Sequence, residues 1–387
     1  MEFNAFQNKK LLKKLLKNEE WNLFKFSDVF LDNTKLAKKI KKEDYLKIGK
    51  YPIIDQGKKY IAGYTNYTEA IYDEEGIIFG DHTRIIKYVN FPLFLGADGT
   101  KLLGVKLKKD CINIKYLYYF LKTIELPSDG YSRHFKYLKE IIIAIPSIKI
   151  QNKIVEVLDM SYKLIENRKK QIKELDLLVK SKFIEMFGNP VSNPKGWEKV
   201  ALIDLGELAR GKSKHRPRNA PELMNGPYPL IQTGDVANAG IYIKEYTQTY
   251  SELGLQQSKM WKAGTLCITI AANIAKTTIL TFDACFPDSI VAFIPNEKTN
   301  TMFIQFWMSF LQKILEDSAP ESAQKNINLK ILGEQRVIVP PIEFQNQFAD
   351  FVKQVDKLKF EMEKSLKELE DNFNSLMQKA FNGELFN

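Results

Sequence analysis

The chain is poor in the residues that bind metals and build disulfides: its 387 positions include three cysteines and three histidines. Cys111, Cys267 and Cys285 have neither the paired spacing of a metal site nor the even count of a disulfide framework. Cys267 and Cys285 stand in apolar surroundings and read as core residues. His82, His134 and His215 are too scattered to form a ligand cluster, so zinc chemistry is not expected. Catalytic motifs are also missing. There is no N-P-P-[YF] or D-P-P-[YF] of an adenine methyltransferase, no G-x-G-x-x-G, and no paired acidic-lysine nuclease motif after Pro287-Asp288. No catalytic residue, metal or cofactor is therefore expected in this chain. No run of eighteen purely apolar residues occurs. The nearest, "AGTLCITIAANIAKTTIL" (263–280), is broken by Lys276 and rich in the β-branched residues of strands. The N-terminal "KKLLKKLLK" interrupts its leucines with lysines and lacks the apolar core of a signal peptide. The expectation is a cytoplasmic protein without a membrane partner.

What the sequence does have is positive charge, +10 net with a pI near 9.1, which points to a polyanionic partner and first to nucleic acid. Residues 1–150 carry 27 basic and 18 acidic side chains, 151–190 carry 8 and 6, 191–343 carry 16 and 15, and 344–387 carry 6 and 8. The field belongs mainly to the first half.

The chain also repeats itself. "LKEIIIAIPSIKIQNKI" from Leu138 and "LGEQRVIVPPIEFQNQF" from Leu332 are offset by 194 residues, and 138–187 aligned on 332–381 without a gap shares 14 of 50 positions. Pro146/Pro340, Gln151/Gln345, Asn152/Asn346 and Phe187/Phe381 are among them, and this density marks a duplication. "WNLFKFSDV" from Trp21 and "WEKVALIDL" from Trp197 open the halves, and "YPIIDQG" (51–57) answers "YPLIQTG" (228–234). The predicted order is a first globule over 1–148, a long helix over 149–190, a second globule over 191–342 and a second long helix over 343–387.

The spacing predicts coiled-coil helices of about 36 residues, roughly 54 Å long. In the second, Phe348, Val352, Leu358, Met362, Leu366, Leu369, Phe373, Leu376 and Ala380 form the stripe. In the first, Ile154, Leu158, Leu164, Ile172, Leu175 and Val179 do. Neither helix buries its stripe alone, and a globule between them allows an antiparallel pairing. The globules read as mixed α/β: "GIIFG" (76–80), "KLLGVKL" (101–107), "GTLCITI" (264–270) and "SIVAFI" (289–294) suit strands, and "IKYLYYFLKTI" (114–124) and "MFIQFWMSFLQKIL" (302–315) suit buried helices. The fold class is α+β.

One stretch invites an enzymatic reading. "GELARGKS" at 206–213 satisfies G-x-x-x-x-G-K-[ST], the phosphate-cradling loop. Its context argues against a nucleotide hydrolase. Asp204 interrupts the apolar run before it, Pro217 and Pro221 bar the helix that should begin at the lysine, and no βαβ alternation follows. What remains is charge: Arg210, Lys212, Lys214, Arg216 and Arg218, with His215, suit DNA phosphates, and arginine also pairs with guanine. Further polar segments supply the other candidates, those of the second globule mixing amides, which read adenine edges, with cations, which hold phosphates. In the first globule these are Gln56, Lys58, Lys59, Asp81, Thr83, Arg84, Tyr131, Arg133, His134 and Lys136. In the second they are Gln232, Thr233, Asp235, Gln256, Gln257, Lys259, Asn273, Lys276, Gln324, Lys325 and Asn326.

Two globules, each followed by a repeated helix with "AIPSIKIQNKI" (144–154) or "IVPPIEFQNQF" (338–348) at its start and "FGNP" or "FNGEL" at its end, resemble the DNA-specificity subunit of type I restriction-modification systems. The first copy departs at Ser147, where the second has Pro341. The resemblance covers nearly the whole chain. It implies two target-recognition domains held apart by antiparallel helices with approximate two-fold symmetry, each reading one half of a bipartite, asymmetric sequence in double-stranded DNA. It also implies that the helices dock two methyltransferase subunits, that a restriction/translocase subunit joins them, and that S-adenosylmethionine, ATP and magnesium belong to those partners. The chain itself is then non-catalytic. A coiled-coil scaffold without DNA readout is the rival class, and a phosphate-loop hydrolase the remote one.

Overall fold

The computed structural model describes residues 6–386 apart from 97, 109, 129, 131, 272–274 and 319–326, with side chains of the helix Thr301–Ser318 described to residue 311. The chain divides into two compact units, Met1–Lys169 with Lys364–Asn387, and Lys170–Glu363. No helix among the described residues is long and apolar enough to cross a membrane.

In the first unit the run "GIIFG" forms the strand Gly76–Gly80, buried on both faces, as an apolar run without polar alternation requires. It lies between Thr100–Val105 and Ile86–Val89, with Phe30–Asp32 at the edge, all antiparallel. A second sheet takes the order Lys39–Ile40, Phe94–Gly96, Tyr51–Ile54, Gly63–Thr65. The aromatic helix Ile114–Lys122 buries Tyr116, Leu117 and Phe120 in one core with Ile77, Phe79 and Leu103. Its buried phenol is satisfied: Tyr116 donates to the Ala144 carbonyl at 2.6 Å.

The second unit repeats this strand order. Gly206–Arg210, Ile290–Pro295, Leu266–Thr269 and Thr277–Leu280 make the first sheet, with Tyr242–Ile243 added at one edge. Met260–Trp261, Ala284–Cys285, Met224–Leu230 and Gln248–Tyr250 make the second. The duplication seen in the helices therefore extends to the globules, where sequence identity is scarce. One edge differs. Lys39–Ile40 runs parallel to its neighbour, whereas Met260–Trp261 takes the same place antiparallel.

The long helices are Ile148–Phe187 and Ile342–Phe381, 40 residues each and about 60 Å long. They exceed the expected 36, and each begins two residues after its proline. Their pairing is antiparallel within each unit. In the first, Tyr162 meets Phe373 at 6.1 Å between ring centroids and Lys169 meets Glu370 at 3.0 Å. In the second, Asp176 meets Lys359 at 2.7 Å and Phe183 meets Phe348 at 5.4 Å.

Most of the expected seam is buried or half-buried: Ile154, Leu158, Ile172, Leu175, Val179, Phe348, Val352, Met362, Leu366, Leu369, Phe373, Leu376 and Ala380. Leu164 and Leu358 are not; they are 54% and 46% exposed. Steps of three and four from Leu158 reach Ser161, Ile165, Arg168 and Ile172, so the seam residue is Ile165, 3% exposed. The same steps from Val352 reach Val355, Lys359 and Met362. The expectation slipped by one residue, about 100° round the helix, and did so at positions that correspond in the repeat. Off the seam both helices carry a further apolar stripe at seven-residue spacing. Ile150, Val157 and Leu164 form it in the first, Phe344, Phe351 and Leu358 in the second, and every member is half-buried or exposed.

The repeated "P-x-x-x-x-Q-N" has a common mechanical role. Gln151 is fully buried; its Oε1 accepts from Asn113 N–H at 2.9 Å and its Nε2 donates to the carbonyls of Pro146 (2.8 Å) and Cys111 (3.1 Å). Asn113 donates to Asn152 Oδ1 at 2.9 Å and also caps the aromatic helix. In the second unit Gln345 Oε1 accepts from the Thr299 hydroxyl (2.8 Å) and Asn300 N–H (3.2 Å). Its Nε2 donates to the carbonyls of Pro340 (2.8 Å) and Lys298 (3.0 Å), and Asn300 donates to Asn346 at 3.0 Å. Each clasp ties the start of a long helix to the start of the aromatic helix beside it.

Candidate nucleic-acid interface

In the second unit the edge strand Gly206–Arg210 pairs antiparallel with Ile290–Pro295, and no helix begins at Lys212. The glycines that mimic a phosphate loop have another cause. A Cβ on Gly206 would lie 2.2 Å from the Ile294 carbonyl, and one on Gly211 would lie 2.4 and 2.3 Å from the carbonyls of Phe286 and Pro287. The chain passes too close to its neighbour for a side chain.

Beyond Gly211 the loop is fastened to the globule. Lys212 N–H donates to the Phe286 carbonyl, and Ser258 donates to the Lys212 carbonyl at 2.8 Å. Gln257 Oε1 accepts from Lys214 N–H (2.7 Å) and His215 N–H (3.1 Å). Gln257 is thus a staple under the loop, its Oε1 engaged by two backbone N–H groups. Arg210, Lys212, Lys214, His215, Arg216 and Arg218 are exposed. Three of them are held in place, Arg218 by Asp288 at 2.5 Å, Arg216 by the same carboxylate at 3.8 Å and by the Ser213 carbonyl at 2.7 Å, and His215 with Nδ1 3.2 Å from the Pro217 carbonyl. Lys259 lies beside the loop, 3.7 Å over the Trp261 ring and 3.7 Å from Glu207.

Lys276 and Thr233 do not join this group. Lys276 lines a cleft with Asp176, Val179 and Lys180 of one long helix and Lys359 of the other. Thr233 opens the helix Thr233–Asn238, whose Val236 and Ala237 line the same cleft. Asn273, Gln324, Lys325 and Asn326, with Tyr131 of the first globule, lie outside the described residues.

In the first unit the expected segments do converge. Gln56 accepts from His82 N–H (3.1 Å) and donates to the Asp98 carbonyl (2.9 Å), and the Thr83 hydroxyl donates to the Gln56 carbonyl (2.7 Å). Lys87, buried in the sheet, donates to the carbonyls of Asp55 (2.7 Å) and Lys59 (2.6 Å) and lies 3.7 Å from the Asp55 carboxylate. Burial pushes the Lys87 pKa down, and Asp55 opposes that shift. Above this polar base Lys58, Lys59, Thr83, Arg84, Arg133 and Lys136 are exposed. His134 is not. It is 1% exposed, with Nδ1 3.0 Å from the Asp81 carbonyl, while Asp81 Oδ1 accepts from Phe135 N–H at 2.7 Å. A DNA contact through His134 is therefore corrected to an internal tether of the 132–138 segment.

Sequence reading passed over the segment 33–50, which carries seven lysines, all exposed. The signal that could have found it was the excess charge of the first 150 residues.

A family model described as the type I restriction modification DNA specificity domain matches residues 18–177 and again 194–371. Among curated relatives, a type I restriction enzyme specificity subunit of Escherichia coli is 24% identical over 340 residues, 82% of each chain. A putative type I restriction enzyme specificity subunit of Methanocaldococcus jannaschii is 25% identical over 392 residues, covering 93% of this chain and 85% of that one. Among solved structures, the S subunit of a type I restriction-modification system from M. genitalium aligns with a TM-score of 0.56 at 19% identity, over 94% of this chain and 97% of that one. A chain from a structure concerned with complex assembly and conformational transition of the type I system aligns with a TM-score of 0.60 at 16% identity, over 95% and 99%.

Proposed function

Because the chain belongs to the type I restriction-modification DNA specificity family, and so to proteins of sequence-specific DNA recognition, we propose that residues 1–148 and 191–342 each read one half of a bipartite, asymmetric site. The observation that carries this reading is the double match of the family model, once over each globule and its following helix. The exposed cations of both units supply the phosphate contacts such reading needs. The long helices, 149–190 and 343–387 with their flanks, set the spacer between the half-sites.

The further stripes support two equivalent docking places for methyltransferase subunits, since Ile150, Val157 and Leu164 correspond one by one to Phe344, Phe351 and Leu358 at the 194-residue offset. S-adenosylmethionine, ATP and magnesium belong to the methyltransferase and restriction subunits, and this chain is non-catalytic. Leu164→Asp should remove one methyltransferase copy and Phe344→Asp the other, read as a loss of mass from the assembled complex. Mapping methylated adenines in cells with and without the gene tests the function itself: the expected result is a two-part motif that vanishes with the gene. A motif that persists, or a one-part motif, overturns the reading.

A further inference from the structure

Resting on the DNA-reading function just proposed, we infer that the first unit grips DNA with the segment 33–50, lysines on phosphates and Ile48 against base edges. The argument begins with topology. In the second unit the basic loop 211–223 joins the edge strand Gly206–Arg210 to Met224–Leu230, a strand parallel to Ala284–Cys285. In the first, residues 33–50 join the matching edge strand Phe30–Asp32 to Tyr51–Ile54, which runs parallel to Phe94–Gly96. The two connections have unlike sequences and lengths, yet each concentrates cations at the same place in the fold. The neighbouring sheet edge repeats the coincidence: Lys39 stands in the strand that takes the place of Met260–Trp261, and Lys259 precedes that strand.

The segment is built to present those charges. Thr34, Ala37 and Ile40 turn inward at every third residue and are buried. Lys35, Lys38, Lys39, Lys41 and Lys42 are left outside. Among the described residues Lys41 has an acidic partner, Glu43 at 3.6 Å, and Lys38 lies 4.0 Å over the Tyr67 ring. The turn that follows is fixed on both sides. Leu46 and Tyr64 exchange two backbone hydrogen bonds of 2.9 Å, and Lys50 N–H donates to Asn66 at 3.0 Å. At the crest of this fixed turn, between Lys47 and Lys50, Ile48 is 88% exposed. An isoleucine held in water among cations gains most when a polyanion with apolar edges covers it. Duplex DNA has that combination: phosphates outside, and a thymine methyl in the major groove.

The test uses the chain assembled with its methyltransferase partner and a duplex carrying the mapped site. Replacing Lys41, Lys42 and Lys47 together by alanine should flatten the slope of log affinity against log salt by up to about 2.7, roughly 0.9 per phosphate contact. The same charge removed by Lys9→Ala, Lys10→Ala and Lys13→Ala on the N-terminal helix should leave the slope unchanged. Ile48→Ala should keep the slope and reduce preference for the mapped site over a scrambled one by about tenfold. A slope that does not change in the first variant, or changes equally in the helix variant, overturns the grip, and an unchanged preference overturns the role of Ile48. A parent complex with no salt-dependent site preference would overturn the function, a different outcome from either.

Discussion

Gln345→Met removes the carboxamide of the second clasp while keeping a straight side chain of similar length. Four hydrogen bonds of 2.8–3.2 Å are lost, to Thr299, Asn300, Pro340 and Lys298. The Thr299 hydroxyl can turn to another acceptor, but the Asn300 N–H and two carbonyls are fixed by the backbone around a site of no solvent exposure. An unsatisfied buried group costs about 1–3 kcal/mol, and with partial relaxation the sum should reach about 3–4 kcal/mol. For a unit the size of Lys170–Glu363, with roughly 2–4 °C per kcal/mol, the transition of that unit should fall by roughly 6–16 °C. Differential scanning calorimetry on the full chain is the assay. Gln151→Met should move the transition of the other unit in the same way, and the double variant should show both shifts. Melting within about 2 °C of the parent for either single variant would refute the clasp as a structural joint.

Other outcomes follow from the same contacts. Ile165→Ala should cost about 2–4 kcal/mol in urea unfolding and Leu164→Ala under about 0.5, and equal costs would refute the assigned seam. Lys359→Ala paired with Asp176→Asn in a double-mutant cycle should give a coupling below about 1 kcal/mol, because both side chains reach water. Arg216→Glu with Arg218→Glu should weaken recognition of the half-site proposed for residues 191–342. Unchanged DNA affinity and methylation pattern would remove that loop from the interface. Four residues inserted at matching places in both long helices add about 6 Å each, so the mapped spacer should grow by roughly two base pairs while the half-sites stay the same. A constant spacer would end the ruler reading.

The elements that sequence revealed are those whose pattern is local. "GIIFG" is a continuous apolar run and became a fully buried strand, and the duplicated "Q-N" followed by heptads became two paired helices. In the first helix the seam slipped where two apolar residues adjoin, Leu164 and Ile165, because the packed partner lies more than a hundred residues away and decides which of them turns inward; in the second the seam position is Lys359, a cation paired with Asp176 that no apolar stripe would include. The site was harder for the same reason. His134 and Gln257 have side chains suited to reading bases, but a loop crossing its own globule needs internal partners first, and both serve there. Lysines 35–50 were plain in the charge count yet match no motif; their meaning came from the strand order shared with the arginine loop.

The clasps have a consequence for inheritance. Gln151 and Gln345 grip mainly main-chain atoms of the globules; an asparagine, Asn113 or Asn300, offers its N–H in both, while the carbonyl comes from Cys111 in one and Lys298 in the other. A joint that recognises the path of the backbone places few demands on what the globule is made of. A recombination event that imports a foreign globule with the same turn and asparagine before its aromatic helix would find the socket already fitting, so a new address can be acquired without re-evolving the frame that holds it.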